Sequence, residues 1–280
     1  MNDEERFERV LGELRELMKS LAHLEAHIVM IGGQVLALEA MSRGLSPVIQ
    51  VDLDTGVPLS RGFSFEPDLL IDVDAAPSTV ESVVDVLKAR SYRRTRDFRW
   101  SKQLDDEWTF DLDLFRPEDA DAANIPTGMT PVDATLALAR PHQLRVALAG
   151  GYLEIKVPDP AGFLATKLAA KQVHRPDETK DCFDIAVYVQ LIGVDPVAQS
   201  LRRAGAAGEA ILVAFQDLFG NADAAGVRDV LKESANLDRT GAELVAEGVV
   251  DLFTSLAASS LRAAPSEDDV ESPAAPEPRG

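Results

Sequence analysis

The sequence predicts an α/β N-terminal half, about residues 1–158, with a mixed sheet and flanking helices, followed by an all-helical half over 159–262. Three observations predict this. Short apolar runs suited to strands alternate with stretches whose apolar residues recur every three or four positions, up to about Val157. From Asp159 the strand signals stop and an Ala-rich helical pattern takes over. The last stretch, 263–280, is rich in Pro, Ala and acids and reads as a disordered tail.

Each element has its own signal. Phe7, Val10, Leu11, Leu14, Leu17, Met18, Leu21 and Leu24 mark a helix over 4–24. HIVMIGG is a short buried strand ending in Gly32-Gly33, and QVLALEAMSRG is a helix that stops near Gly44. PVIQVDL (47–53) predicts a strand, DTGVPLSRG a loop, and SFEPDLLIDVD (64–74) a further strand. STVESVVDVLKARSY predicts a helix with a Ser/Thr cap after Pro77 and a stripe of Val80, Val83, Val84 and Leu87. RRTRDFRW and EWTFDLDLF are two strands joined across KQLDD as a hairpin. A looser stretch, RPEDADAANIPTGMT, follows, and HQLRVALAGGYLEIKV predicts a second hairpin turning at Gly150-Gly151. AGFLATKLAAKQVHR and ETKDCFDIAVYVQLIG are helices joined through Pro176, and no internal repeat is present.

Composition narrows the function. The chain has 280 residues, 46% hydrophobic and 27% charged, as a globular protein with a sizeable core would. A net charge of −19 argues against broad, non-specific binding to nucleic acid but leaves room for a local basic patch. A single cysteine, Cys182, excludes an internal disulfide, fits a reducing cytoplasm, and reads as inert packing. The acidic start MNDEERFERV does not read as a signal peptide, and no apolar run approaches the roughly 18–20 residues of a membrane span. His23, His27, His142 and His174 show no metal-ligand spacing. There is no nucleophile elbow, Walker A loop or dinucleotide fingerprint.

Five features carry chemistry. Gly32-Gly33 between a strand and a helix suits a phosphate held on backbone N–H groups, and equally a plain tight turn. In SFEPDLLIDVD, Glu66, Asp68, Asp72 and Asp74 alternate with Leu69, Ile71 and Val73, so the carboxylates share one strand face. A divalent cation would answer their repulsion, and so would a solvated edge strand, which Pro67 also suits. Asp111 and Asp113 repeat the pattern in FDLDLF, and three carboxylates from two strands could converge on Mg²⁺ or Mn²⁺. Lys167 and Lys171 share a helix face, as do Asp181 and Asp184 on the next helix. Finally, 88–102 holds seven Lys or Arg with Tyr92, Phe98 and Trp100, which suits a phosphate backbone and base stacking, or a merely solvated helix end.

In order, these pieces resemble the polymerase-β-like nucleotidyltransferases, and within them the AbiEii branch of toxin–antitoxin toxins. HIVMIGGQVLALEA matches that family's strand, Gly-Gly and helix. Arg61, Ser64, Glu66, Asp68 and the following LLI match its Arg, Ser/Thr and Asp-x-Asp segment. The third carboxylate is Asp111 or Asp113, with Asp113 favoured because DLF resembles the family's ending. Lys167 and the KDCFD of 180–184 match its helical half, so the resemblance covers about 27–192. It departs in two places: Glu66 replaces the first Asp, and the stretch from Gly33 to Glu66 is long.

The resemblance implies a nucleotidyltransferase-like fold and metal-assisted transfer of an NMP group from an NTP. Glu66, Asp68 and Asp113 would hold Mg²⁺ or Mn²⁺, with Asp113 also able to draw the acceptor's proton. Gly32, Gly33, Ser64 and Lys167 would bind the nucleotide, and Asp184 would position Lys167. It further implies an RNA acceptor, tRNA foremost, which the 88–102 stretch would dock; an acidic antitoxin protein would fit the same stretch. A small-molecule acceptor, favoured by the charge of −19, and a fold that binds without catalysis, favoured by Glu66, are the alternatives.

Overall fold

The structure is a computed structural model that describes residues 1–74, 78–106, 108–120, 129–234 and 237–262, without the side chains of 25, 26 and 78–80. The expected Ser/Thr cap after Pro77, the part of the looser stretch at 121–128, and the 263–280 tail lie outside the described residues.

Helix α1 (Asp3–Ser20) begins at a reciprocal cap: Asn2 Oδ1 accepts from the Glu5 amide at 2.8 Å, and Glu5 Oε2 accepts from the Asn2 amide at 3.0 Å. Its buried stripe is the one the spacing predicted, but the α-helix ends at Ser20 and a 3₁₀ segment, Ala22–His27, completes the run. Strand β1 (Ile28–Ile31) follows, then the Gly32 turn and α2 (Gln34–Ser42). The predicted 47–53 strand is β2 (Ile49–Asp52). The predicted loop after it is in part a strand, β3 (Pro58–Arg61), which forms a two-stranded hairpin with β2. Pro58 is compatible with this because it opens the strand, where a missing N–H costs no ladder bond.

The main sheet has six strands. β4 (Asp68–Ile71) pairs antiparallel with β1 and parallel with β7 (Thr109–Pro117), so it is central rather than an edge strand. It is also shorter than expected: Glu66 sits in the bend before it, and Asp72 and Asp74 lie beyond its end, so the four carboxylates do not share one strand face. After α3 (Ser78–Ala89) the basic run forms two strands, β5 (Arg93–Arg94) and β6 (Arg99–Gln103), not one. β6 and β7 make the predicted hairpin, and β5 closes the sheet's edge. A strand not foreseen, β8 (Thr130–Val132), pairs parallel with the end of β7.

Alternation sorts the sheet's faces. Ile28, Met30, Leu69, Ile71, Phe110, Leu112 and Leu114 enter the main core that α1 and α3 also join. Val29, Ile31, Leu70 and Val132 face the other way, against the short α4 (Thr135–Ala139). Asp68 and Asp113 share that second face, just where apolar cover ends. β9 (His142–Leu148) and β10 (Gly151–Val157) form the predicted hairpin through Gly150 and pack on α1, α2 and β1.

The helical part begins with α5 (Pro160–Ala169), capped by Asp159, whose Oδ1 accepts from the Gly162 amide at 2.9 Å. A π turn, Ala170–His174, extends it, and α6 (Lys180–Ile192) packs back so that Phe163 and Tyr188 stack at 3.9 Å. α7 (Val194–Arg203), α8 (Ala206–Phe219), α9 (Ala225–Glu233) and α10 (Arg239–Leu261) complete the chain, with Phe219 and Phe253 stacked at 3.9 Å. Contrary to the expectation of no such segment, the 23-residue α10 is long and apolar enough to cross a membrane by length and composition. Its Val245, Val249, Leu252, Phe253 and Leu256 are buried in the core, which is a sufficient reason for that apolarity.

Candidate active site

A cleft of about 670 Å³ opens where the second sheet face meets α5 and α6. Its floor is acidic. Asp68 and Asp113 are register partners across the parallel β4–β7 pairing, so the backbone ladder sets their two carboxylates side by side. The Pro67 carbonyl accepts from the Asp113 amide at 3.0 Å and fixes that register. Asp68 also lies hard against the turn. A Cβ on Gly32 would fall 1.9 Å from Asp68 Oδ2, and Gly32 has φ +76°, so only glycine suits the position. Asp68 is walled by protein yet reaches the cleft, and it takes no hydrogen bond from any described residue. Burial first, then the Asp113 charge, push its pKa up to about 7.

Arg99 completes the floor. Its Nε and Nη2 hold the two Asp113 oxygens at 2.7 and 2.8 Å, and Nη2 also reaches Glu66 Oε2 at 2.6 Å. These bonds raise its already high pKa. Asp111, the other candidate, instead accepts from Ser101 Oγ at 2.5 Å and lies 4.0 Å from Arg99 Nη1.

The opposite wall is a buried charge network. Lys167 Nζ bonds Asp184 Oδ2 at 2.6 Å and Asp181 Oδ1 at 3.0 Å. Arg61 Nε bonds the other Asp184 oxygen at 2.7 Å, tying β3 to α6. Burial works against the charge on Lys167, but Asp184 and Asp181 outweigh it and raise its pKa. Burial likewise opposes the Asp184 charge, and Lys167 with Arg61 outweighs it, so that pKa is lowered. Two buried atoms of this network have no hydrogen-bond partner among the described residues, Arg61 Nη2 and Asp181 Oδ2. Gly33 lies against Arg61: a Cβ there would meet Nη2 at 2.5 Å and Ser64 Oγ at 3.3 Å. Gly33 also starts α2 with no side-chain cap, and the Val35 amide of its first turn makes only a long 3.4 Å bond to the Gly32 carbonyl.

The structure therefore brings Gly32, Gly33, Ser64, Glu66, Asp68, Asp113, Lys167 and Asp184 to one cleft. Lys171 departs from it. The π turn breaks its alignment with Lys167, and its Nζ meets Asp229 at 2.6 Å and the Pro176 and Glu178 carbonyls at 2.6 and 3.0 Å. The basic stretch also divides. Arg90 and Lys102 bind Glu13 of α1 at 2.9 and 2.8 Å, and Arg99 faces the cleft, leaving Lys88, Arg93, Arg94 and Arg96 exposed. Arg99 and Arg175 are the site residues that sequence reasoning gave no catalytic place. The predicted 102–106 turn would set Arg99 opposite Thr109; the hairpin instead closes at Leu104 and Trp108, which brings Arg99 opposite Asp113. Arg175, which bonds Asp181 at 3.1 Å, had no sequence signal either.

The donors fit a divalent metal in kind, since Glu66, Asp68 and Asp113 offer hard oxygens and Asp68 has none of them engaged. Among the described residues, however, no three Asp, Glu, His or Cys side chains stand as a ready cage, and Glu66 and Asp113 meet around Arg99 instead. Compared with protein-family models, with curated proteins and with solved structures, the chain matches none of them.

Proposed function

We propose that this cleft moves a nucleoside monophosphate from an NTP to an acceptor hydroxyl, with pyrophosphate leaving as the α–β phosphate bond breaks, and that Asp68, Asp113 and Glu66 would hold Mg²⁺ or Mn²⁺. One observation carries the reading: Asp68 and Asp113 face each other across adjacent strands, beside a Gly-Gly turn, under a wall bearing Lys167 and Arg175. Held there, a divalent cation would neutralise charge on the transferring phosphate. The uncapped start of α2 and the side-chain-free Gly32-Gly33 turn accept phosphate oxygens on backbone amides, with Ser64 beside them. Lys167 faces the phosphate tail, and Asp184 fixes Lys167 by ion pair so that its charge is preorganised. Asp113 receives the acceptor's proton on a carboxylate oxygen.

An RNA, tRNA foremost, is the acceptor we favour, docked on Lys88, Arg93, Arg94 and Arg96 around the β5 edge. A small-molecule acceptor is the second reading. It is favoured by the net charge of −19 and by the loss of Arg90, Arg99 and Lys102 to internal ion pairs. Incubation with Mg²⁺ and each labelled NTP, with and without total tRNA, tests both. Label on RNA supports the first and label on a metabolite the second. Absence of both transfer and NTP binding ends the enzyme reading. Asp68→Ala should abolish transfer while the protein stays folded.

A further inference from the structure

Arg99 occupies the place a cation would take. Its fork bonds both Asp113 oxygens and Nη2 adds Glu66 Oε2, so the Asp68 carboxylate and one Glu66 oxygen are left without a bond from the described residues. A divalent cation beside that guanidinium would meet like charge and find both Asp113 oxygens already engaged. With Arg99 gone, the same cation gains the Asp113 and Glu66 carboxylates. Arg99 also has somewhere to go: Asp111 lies on the same strand face, 32% exposed, with its Oδ2 already 4.0 Å from Arg99 Nη1. The cleft shows an independent sign of an absent ligand: Asp181 lines it, is 1% exposed, and its Oδ2 has no partner among the described residues.

We propose that Arg99 and the divalent cation exchange for one seat. Arg99 holds Asp113 and Glu66 while the cleft is empty, and it moves toward Asp111 when a metal enters with a nucleotide. This rests on the nucleotidyl-transfer reading above. It makes Arg99 the residue that sets metal affinity, and it couples metal entry to nucleotide entry. Carboxylate oxygens held in charge-assisted hydrogen bonds to a cationic group are poorer metal ligands until those bonds break. Nucleotide phosphates help break them by adding ligands to the metal and an acceptor for the freed guanidinium.

The test is Mn²⁺ binding to the full chain, followed by the loss of the free-ion electron paramagnetic resonance signal. Arg99→Met keeps much of the stem and removes the charge. Without nucleotide it should bind Mn²⁺ about tenfold or more tighter than the unsubstituted protein, because no charge-assisted bonds must first break. Arg99→Lys should fall between. A non-hydrolysable NTP analogue should narrow the gap. Equal or weaker binding by Arg99→Met overturns the exchange and leaves the proposed function standing. No Mn²⁺ binding by any of the proteins, with or without the analogue, overturns the metal-dependent reading and this inference together. Crystals of the unsubstituted protein soaked in Mn²⁺ give a readout independent of any variant's folding. Metal on Asp113 with Arg99 displaced supports the exchange, and metal there with Arg99 still bidentate refutes it.

Discussion

Asp68→Asn should stabilise the protein, and more so at alkaline pH. The substitution keeps the side chain's shape against Gly32 and removes its charge. Burial and the neighbouring Asp113 raise the Asp68 pKa from an ordinary 3.8 to about 7. The folded state thus keeps a proton that the unfolded chain has already lost. That contribution is full below about pH 4 and disappears as pH rises through about 7. Each pKa unit is worth about 1.4 kcal/mol, so the full shift amounts to about 4 kcal/mol, of which about 2.5 kcal/mol falls between pH 5 and pH 8. Asp68 reaches the solvated cleft, so screening reduces this window to about 1 kcal/mol. Urea unfolding of both proteins at pH 5 and pH 8 measures it, because other titrating groups cancel in the comparison. If the advantage of Asp68→Asn fails to grow with pH, Asp68 is not a desolvated carboxylate beside a like charge.

Three further mutational experiments follow from the same structure. Gly32→Ala forces a side chain into φ +76° and onto Asp68, so it should cost about 2–3 kcal/mol in urea unfolding and weaken Mn²⁺ binding. Asp184→Asn leaves Lys167 and Arg61 buried without their shared anion and should cost about 3–5 kcal/mol. Adding Lys167→Met should recover part of that loss in a double-mutant cycle, and strict additivity would deny the coupling. Arg93→Ala with Arg94→Ala should weaken tRNA binding and lower the slope of log affinity against log salt by about 2, since two phosphate contacts are lost. An unchanged slope places the RNA elsewhere.

Much of this geometry could be read from local pattern, because local pattern reports faces. Alternation of Asp111 and Asp113 with Phe110, Leu112 and Leu114 assigned the two sides of β7 correctly. The Lys167–Asp184 pair, which the family resemblance implies and spacing alone does not, forms at 2.6 Å. What stayed hidden depends on partners distant in sequence. The β3 stretch reads as a loop because Gly56, Pro58 and Ser60 favour turns, and only pairing with β2 makes it extended. The SFEPDLLIDVD run overshot at both ends because alternation continues past the point where neighbouring strands stop offering hydrogen bonds. Composition places Arg99 in a basic patch because it sums charges along the chain. The hairpin register, not composition, turns this one residue into the acid cluster. Lys171 failed for a related reason, since a single π turn rotated it out of step.

Asp68 and Asp113 occupy facing positions of a single ladder. Their separation is therefore ruled by the inter-strand repeat of about 4.8 Å and is indifferent to the chain that links them. Peptide inserted at the tip joining β6 to β7 would lengthen the tether without spreading the carboxylates, so that tip is a place for a tag or a reporter domain.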